Sequence, residues 1–299
     1  MIVVTGATGP LGRGVVQHLL QRVPAHQVGV SVRDPAKAAD VAALGVRVRS
    51  GDFASPDTLG AAFAGAAQVL VVSVNQLGDA ARSQHRAAIR AARAAGARRV
   101  LYTSHLGARV DSPFAPGADH AVAEAVLDEG AAPFTALRHG FYAESALHLI
   151  AHGLAAGEIR APEDGPVSWT MRADLAEADA ILLAEEGRLD GITPPLTARE
   201  AFTMADVARV ASELTGREIR RVTLTDDAWR DEMVAHGTPA PVAELLLGMY
   251  RAARRGDFAT VDPTLGALLG RRPRTMRDAL AAHVRRGPGT DTDAPHPTA

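Results

Sequence analysis

The chain has 299 residues, 47% apolar and 22% charged, enough for a sizeable core and one or two domains. A formal net charge of −2 argues against bulk nucleic-acid binding, and the lack of cysteine excludes disulfides, a thiol nucleophile, Cys-ligated zinc and iron–sulfur clusters. Among 32 basic residues only Lys37 is a lysine, so chemistry that needs a lysine has one candidate.

The first predicted element is a β-branched strand at 2–5. No basic n-region or cleavage signature precedes it, which together with the absent cysteine points to a cytoplasmic protein. Next comes Thr5-Gly6-Ala7-Thr8-Gly9-Pro10-Leu11-Gly12, then a helix over 11–22. Three glycines at G-x-x-G-x-x-G spacing between a strand and a helix suit a dinucleotide. Gly6 permits a tight turn, Gly9 lets backbone approach a pyrophosphate, and Gly12 lets the helix pack on the strand. A second strand at 28–32 ends in Arg33-Asp34-Pro35-Ala36-Lys37. Arg33 stands where an NAD-binding protein would carry an acid, and its planar fork suits a 2′-phosphate. Lys37 and Arg13 add positive charge, so NADPH is favoured over NADH. A helix over 35–44 and a strand at 46–49 lead to Gly51-Asp52-Phe53, where the carboxylate either receives an adenine amino group or merely closes a turn.

Helices over 56–63, 80–95 and 118–129 alternate with strands at 69–74, 99–103 and 134–137. Gly45, Gly65, Gly96 and Gly130 follow four of the helices, as C-terminal caps require. Continuously apolar strands alternating with helices predict a Rossmann-type α/β fold, a doubly wound parallel sheet over residues 1–150. The apolar stretch 66–74 is far too short to span a bilayer. Beyond residue 150 helices dominate, at 172–185, 204–215, 225–236, 239–254 and 275–286, with short strands at 167–169 and 219–224. This predicts a smaller, mostly helical substrate-covering region over 151–286 and a disordered tail over 287–299. Nine arginines against three aspartates between Arg251 and Arg286 leave +6 locally, read as a solvated helical face.

The segments already quoted, with Tyr102-Thr103-Ser104, Asp119-His120, Glu124, the run 137–144 (Leu-Arg-His-Gly-Phe-Tyr-Ala-Glu) and 170–174 (Thr-Met-Arg-Ala-Asp), are ordered as in a known family. The chain resembles the NmrA-like atypical short-chain dehydrogenases/reductases, most closely the bacterial NADPH:quinone oxidoreductases among them. The resemblance implies NADPH held by Gly6, Thr8, Gly9, Pro10, Leu11 and Gly12, with Arg33 and Lys37. It places adenine near Asp52 and Phe53, and Ser73 and Thr103 beside the nicotinamide half. Substrate would sit near Asn75, His105, Phe141, Tyr142 and Trp169. The chain departs from the family at His139, where asparagine is usual, and at Ser145, again in place of asparagine; both lie on the expected substrate side.

The residues four beyond Tyr102, Tyr142 and Tyr250 are Leu106, Ala146 and Arg254, so no Tyr-x-x-x-Lys pair exists. A quinone needs none, because hydride addition yields an aromatic hydroquinone anion that water can protonate. The expected function is hydride transfer from NADPH to a quinone or similar conjugated acceptor, with Tyr142 or His139 bonding the oxyanion. Tyr142 as a packing residue and His139 as an ordinary loop histidine are the plainer alternatives. A non-catalytic NADP(H) sensor of the NmrA type, or a reductase of another aromatic or imine substrate, stays open. Eleven histidines without H-E-x-x-H spacing predict no metal site. The expected partners are a small quinone-like molecule, no nucleic acid and no membrane, in a monomer or homodimer.

Overall fold

Runs of Val, Ile and Leu with no polar interruption need cover on both faces, and the strands here receive it. The computed structural model describes residues 1–129 and 132–286; Gly130 and the tail 287–299, on which expectations were placed, lie outside them. The described strands are β1 (Ile2–Thr5), β2 (Val28–Val32), β3 (Arg47–Ser50), β4 (Gln68–Val71), β5 (Arg99–His105), β6 (Phe134–His139), β7 (Glu158–Pro162), β8 (Gly191–Ile192) and β9 (Arg220–Leu224). Seven pair in parallel in the order β3-β2-β1-β4-β5-β6-β8, while β7 and β9 form a separate parallel pair. This is the expected Rossmann-type sheet. Strand order reverses between β1 and β4, which opens a crevice at their carboxyl ends.

Successive side chains of a strand point to opposite faces, and the core divides accordingly. Val4, Leu70, Leu101 and Leu137 meet α1 (Pro10–Leu19) on one face. On the other, Val3, Val69, Val100 and Tyr102 face α3 (Leu59–Phe63), α4 (Gly78–Ala94) and α5 (Ala115–Asp128), which follow the short α2 (Ala39–Ala43). The predicted helices at 35–44 and 56–63 each begin as a 3-10 turn, Pro35–Ala38 and Pro56–Thr58, before α2 and α3. Proline at the start fixes φ but donates nothing, which suits such a tight first turn.

The chain continues through α6 (Ala143–Ala156) and α7 (Arg172–Ala184), then α8 (Met204–Thr215), α9 (Asp226–Ala235), α10 (Ala240–Arg254), α11 (Thr264–Leu269) and α12 (Met276–Arg286). A third core gathers Trp169, Trp229, Tyr250 and Phe258 among α6, α8, α10 and α12. The sheet layer does not stop at residue 150, for Leu175 and Leu182 of α7 join the core under α1 and β8 pairs with β6. Helices α6 and α11 and strands β7 and β8 were not predicted. The run 167–169 is no strand; Val167 makes only an isolated bridge with Phe202. No helix among the described residues is long and apolar enough to cross a membrane. The arginine excess near the C-terminus is largely paired: Arg251 and Arg254 with Asp226, Arg255 with Asp111, Arg271 and Arg274 with Asp174.

One buried cation staples the amino edge of the sheet to α7. Arg99, 1% exposed, donates to Gln68 Oε1 (3.2 Å), Thr135 Oγ1 (2.8 Å), Asp190 Oδ1 (3.1 Å) and the carbonyls of Leu182 (2.8 Å) and Leu189 (2.7 Å). Arg99→Met removes the charge but strands these acceptors, so it is expected to destabilise the protein by about 3–5 kcal/mol. The urea unfolding midpoint measures this; an unchanged midpoint would show that the staple contributes nothing.

Candidate active site

The glycine turn has the geometry its spacing implied. Gly6 has φ +62°, a left-handed conformation that side chains resist. A Cβ on Gly12 would stand 2.5 Å from the Gly6 carbonyl oxygen, so only glycine lets α1 seat on the turn. Helix α1 carries no side-chain cap, and its first turn has no acidic residue. Its N–H groups at Leu11 and Gly12 are therefore free of intrahelical acceptors and aim the positive end of the dipole outward. The surrounding residues, Thr5 to Gly12 except Ala7, line a cleft of about 500 Å³ that also takes in Arg33, Asp52, Phe53, Ser73, Asn75, His105, His120, Phe141 and Tyr142.

At the adenosine end, Arg33 is exposed, lines the cleft and forms no ion pair with any described residue. Lys37 is likewise exposed but stands outside the lining set. Asp34 does not oppose them as an open carboxylate: its side chain accepts from Ala36 N–H at 3.0 Å and caps the turn that carries Lys37. Arg13 pairs with Asp40 and is not a free cation. Asp52 accepts from Ala54 N–H at 3.0 Å through Oδ1, a local turn, while its residue lines the cleft beside Phe53. Ser31 Oγ, also on the lining, is buried without a described partner. An anion-ready helix start, a free arginine and an orphaned hydroxyl together fit a phosphorylated dinucleotide.

At the crevice the chain leaves β4, and three consecutive N–H groups lose the ladder. Side chains take all three: Val72 donates to Thr5 Oγ1 (2.8 Å), Ser73 to Thr103 Oγ1 (2.8 Å) and Val74 to His85 Nε2 (3.0 Å). Thr103 also donates to Ser73 Oγ at 3.1 Å. Thr103 is therefore a support beneath Ser73 and does not itself line the cleft. The segment after it is tied to α5, because buried Asp119 accepts from Gly78 N–H (2.8 Å) and Arg82 Nε (2.7 Å). Tyr102, wholly buried on β5, bridges two histidines: its hydroxyl lies 3.2 Å from His85 Nδ1 and 2.8 Å from His120 Nδ1.

The expected substrate residues divide in two. Tyr142 lines the cleft, takes no hydrogen bond from a described residue, and has Arg172 stacked 4.9 Å over its ring. Burial raises its phenol pKa above the usual value, so the hydroxyl keeps its proton and stays a donor. Phe141 and His105 form an apolar wall with Phe114 and Phe258, ring centroids 5.2–5.9 Å apart. Trp169 stands behind that wall, 5.3 Å from Phe141 and outside the main cleft. His139 lines the cleft but offers it no N–H: Nε2 is 2.9 Å from Asp179 Oδ1, and Nδ1 is buried without a described partner. Its ring orients α7 through Asp179 and cannot serve as the oxyanion donor expected of it. Gly140 belongs to the same packing, since a Cβ there would stand 2.2 Å from Thr170 Oγ1.

Three lining or wall residues were not assigned to the site from sequence: Phe114, Phe258 and His120, the last noted only as part of the family resemblance. With seven phenylalanines in 299 residues, their scarcity was the available signal. Glu124 and Arg138, which helped carry the family resemblance, are structural: Arg138 forks onto both Glu124 oxygens (2.9 and 2.7 Å) and Ser104 donates to one (2.6 Å).

The sequence model of a family described as NAD(P)H-binding matches residues 6–186. Quinone oxidoreductase 2 of Escherichia coli strain K12 is 33% identical over 285 residues, covering 94% of this chain and 98% of that protein. An NmrA-like family domain-containing oxidoreductase of Aspergillus flavus is 29% identical over 93% of this chain and 92% of that one. The crystal structure of the E. coli NADPH-dependent quinone oxidoreductase complexed with NADPH superposes with a TM-score of 0.89 at 31% identity, covering 95% of this chain and all of that chain.

The histidines carry a pH signature. His85 must be neutral to accept from Val74, and burial lowers its pKa to about 4; burial, then His139, lowers that of His105 to about 3. In the unfolded chain both titrate near 6.5. Below that pH the unfolded state binds more protons, so stability is full above it and falls as the pH drops toward 4. His85 alone accounts for about 2 kcal/mol of loss by pH 5. Urea midpoints at pH 7.5, 6 and 5 should fall in that order, less steeply in His85→Asn. Equal slopes in the two proteins would contradict the assignment.

Proposed function

The chain belongs to the NAD(P)H-binding family, and from that premise we propose that it is an NADPH-dependent oxidoreductase passing hydride to a quinone or a similar conjugated acceptor. The observation that supports this best is one continuous cleft with unlike ends: free N–H groups and an unpaired arginine at one, an aromatic wall with neutral donors at the other. NADPH, when bound, supplies the hydride. Leu11 and Gly12 would hold its pyrophosphate, Arg33 with Lys37 its 2′-phosphate, and Asp52 with Phe53 its adenine. The Val72–Val74 segment, with Ser73, would bear the nicotinamide half. Phe141 and Phe114 would stack against a flat acceptor. Tyr142 holds a proton toward the cleft that can bond a developing oxyanion. The one lysine, Lys37, is assigned to the phosphate end, and no tyrosine–lysine pair is called on for proton delivery.

Steady oxidation of NADPH by benzoquinone or naphthoquinone, followed by absorbance, tests the reading. Turnover with either supports it; tight NADPH binding with no oxidation by any quinone, azo or triarylmethane acceptor would favour a nucleotide sensor. Cofactor choice has its own test. Arg33→Ala should raise the KM for NADPH by about 10–100-fold, the loss of one charge-assisted contact, and that for NADH by less than about threefold. Equal changes for both would place the 2′-phosphate elsewhere.

A further inference from the structure

Four polar rings meet at the acceptor end of the cleft. His120 stacks between His85 and His105, with ring centroids 6.2 and 6.0 Å away. Tyr102 stands edge-on to His85 at 5.2 Å. No carboxylate among the described residues accepts from His85, His105 or His120, so nothing stabilises a charge on them.

Their protons can be placed by elimination. The Val74 N–H donates to His85 Nε2, so that nitrogen carries a lone pair. The neutral ring then has its proton on Nδ1 and donates it to the Tyr102 hydroxyl oxygen. The hydroxyl, its oxygen engaged, gives its own proton to His120 Nδ1. His120 is thereby the Nε2–H tautomer, and Nε2 has no described partner while the ring lines the cleft. His105 reaches the same state by a shorter route: its Nδ1 accepts the Gly107 N–H at 3.0 Å. Burial keeps these rings neutral, lowering the pKa of His120 well below its ordinary value as it does those of its neighbours.

We propose that His120 and His105 present fixed Nε2–H donors to the acceptor oxygen that gains negative charge on reduction, with Tyr102 and His85 as positioning residues that hold His120 in that tautomer. The proposal rests on the reductase reading and names the groups that recognise the acceptor. The chain of bonds orients but does not conduct. It ends at a backbone amide with no proton to release, so a proton lost from His120 could not be replaced without leaving an imidazolate at His85. The step therefore balances with the N–H bonds intact. Hydride addition forms one new bond to the acceptor and moves the carbonyl electron pair onto oxygen, the dihydronicotinamide being oxidised by two electrons. The two N–H groups hold the resulting charge, and water supplies the proton that completes the hydroquinone. Neutral donors suit a flat aromatic acceptor because they add no charge that must be desolvated when the acceptor binds.

Two measurements test the donor pair without relying on turnover. Nitrogen-15 NMR of the histidine rings in the full-length protein should show His85 as Nδ1–H and His120 and His105 as Nε2–H, all neutral between pH 6 and 8. The aryl oxyanion 4-nitrophenolate, titrated into the NADP+-loaded protein, should bind at least tenfold more weakly to His120→Leu than to wild type, with His120→Gln, which keeps an N–H donor, recovering most of the loss. In Tyr102→Phe, His120 should populate both tautomers, and kcat with benzoquinone should fall about fivefold or more with KM for NADPH unchanged. An Nδ1–H tautomer at His120, or phenolate affinity within twofold of wild type in His120→Leu, would overturn the proposal. Wild-type protein that shows these tautomers and binds the phenolate yet turns over no quinone would instead refute the choice of acceptor and leave the donor pair standing.

Discussion

Where β4 ends, between β1 and β5, the backbone quits the sheet and takes three amide N–H groups with it. Buried amides without acceptors would each cost about 1–3 kcal/mol. Thr5, Thr103 and His85 supply the acceptors, and each choice has consequences elsewhere. Thr5 belongs to the strand that launches the glycine turn, so that turn and the crevice floor are held by one bond. Thr103 lies one residue from Tyr102, so the floor and the hydrogen-bonded rings share β5. Using His85 as an acceptor forbids its protonation, which sets both the acid lability of the fold and the direction of every hydrogen bond beyond it.

Electrostatics divide the same cleft. Arginines elsewhere in the chain are mostly consumed by partners: Arg99 in the staple, Arg138 on Glu124, Arg271 and Arg274 on Asp174. Arg33 is left unpaired among the described residues, at the end of β2 where a phosphate would be met. The other end holds aromatic rings and uncharged imidazoles, with Arg172 stacked on Tyr142. In the proposed reading, a charged coenzyme tail and an uncharged, flat acceptor would be sorted to opposite ends of the cleft.

Several assignments depended on residue type and spacing alone and came through the structure intact. The glycine turn, the six core strands and the parallel sheet were legible because strand periodicity, left-handed glycine and helix starts are local properties. Proline-led 3-10 turns shortened two helices, again for a local reason visible only in finer geometry. By contrast α6, β7 and β8 were missed. Strand β8 is two residues long and exists because β6 offers it an edge, and no window of sequence carries that information.

The site shows the same divide. The motif around residues 137–144 announced a functional region, yet His139 and Tyr142, three residues apart, met opposite fates. Asp179 on α7 takes the histidine's nitrogen, while the tyrosine hydroxyl stays open to the cleft. From sequence, His120 stood out only within the Asp119-His120 segment, with no role assigned, and its meaning comes from Tyr102 and His85, on β5 and α4. Thus the sequence by itself determined the glycine turn, the sheet and the absence of a Tyr-x-x-x-Lys motif, because these follow from backbone chemistry and a residue count. Only the tertiary structure decided which rings are donors, because a tautomer is set by partners that the fold brings from distant strands.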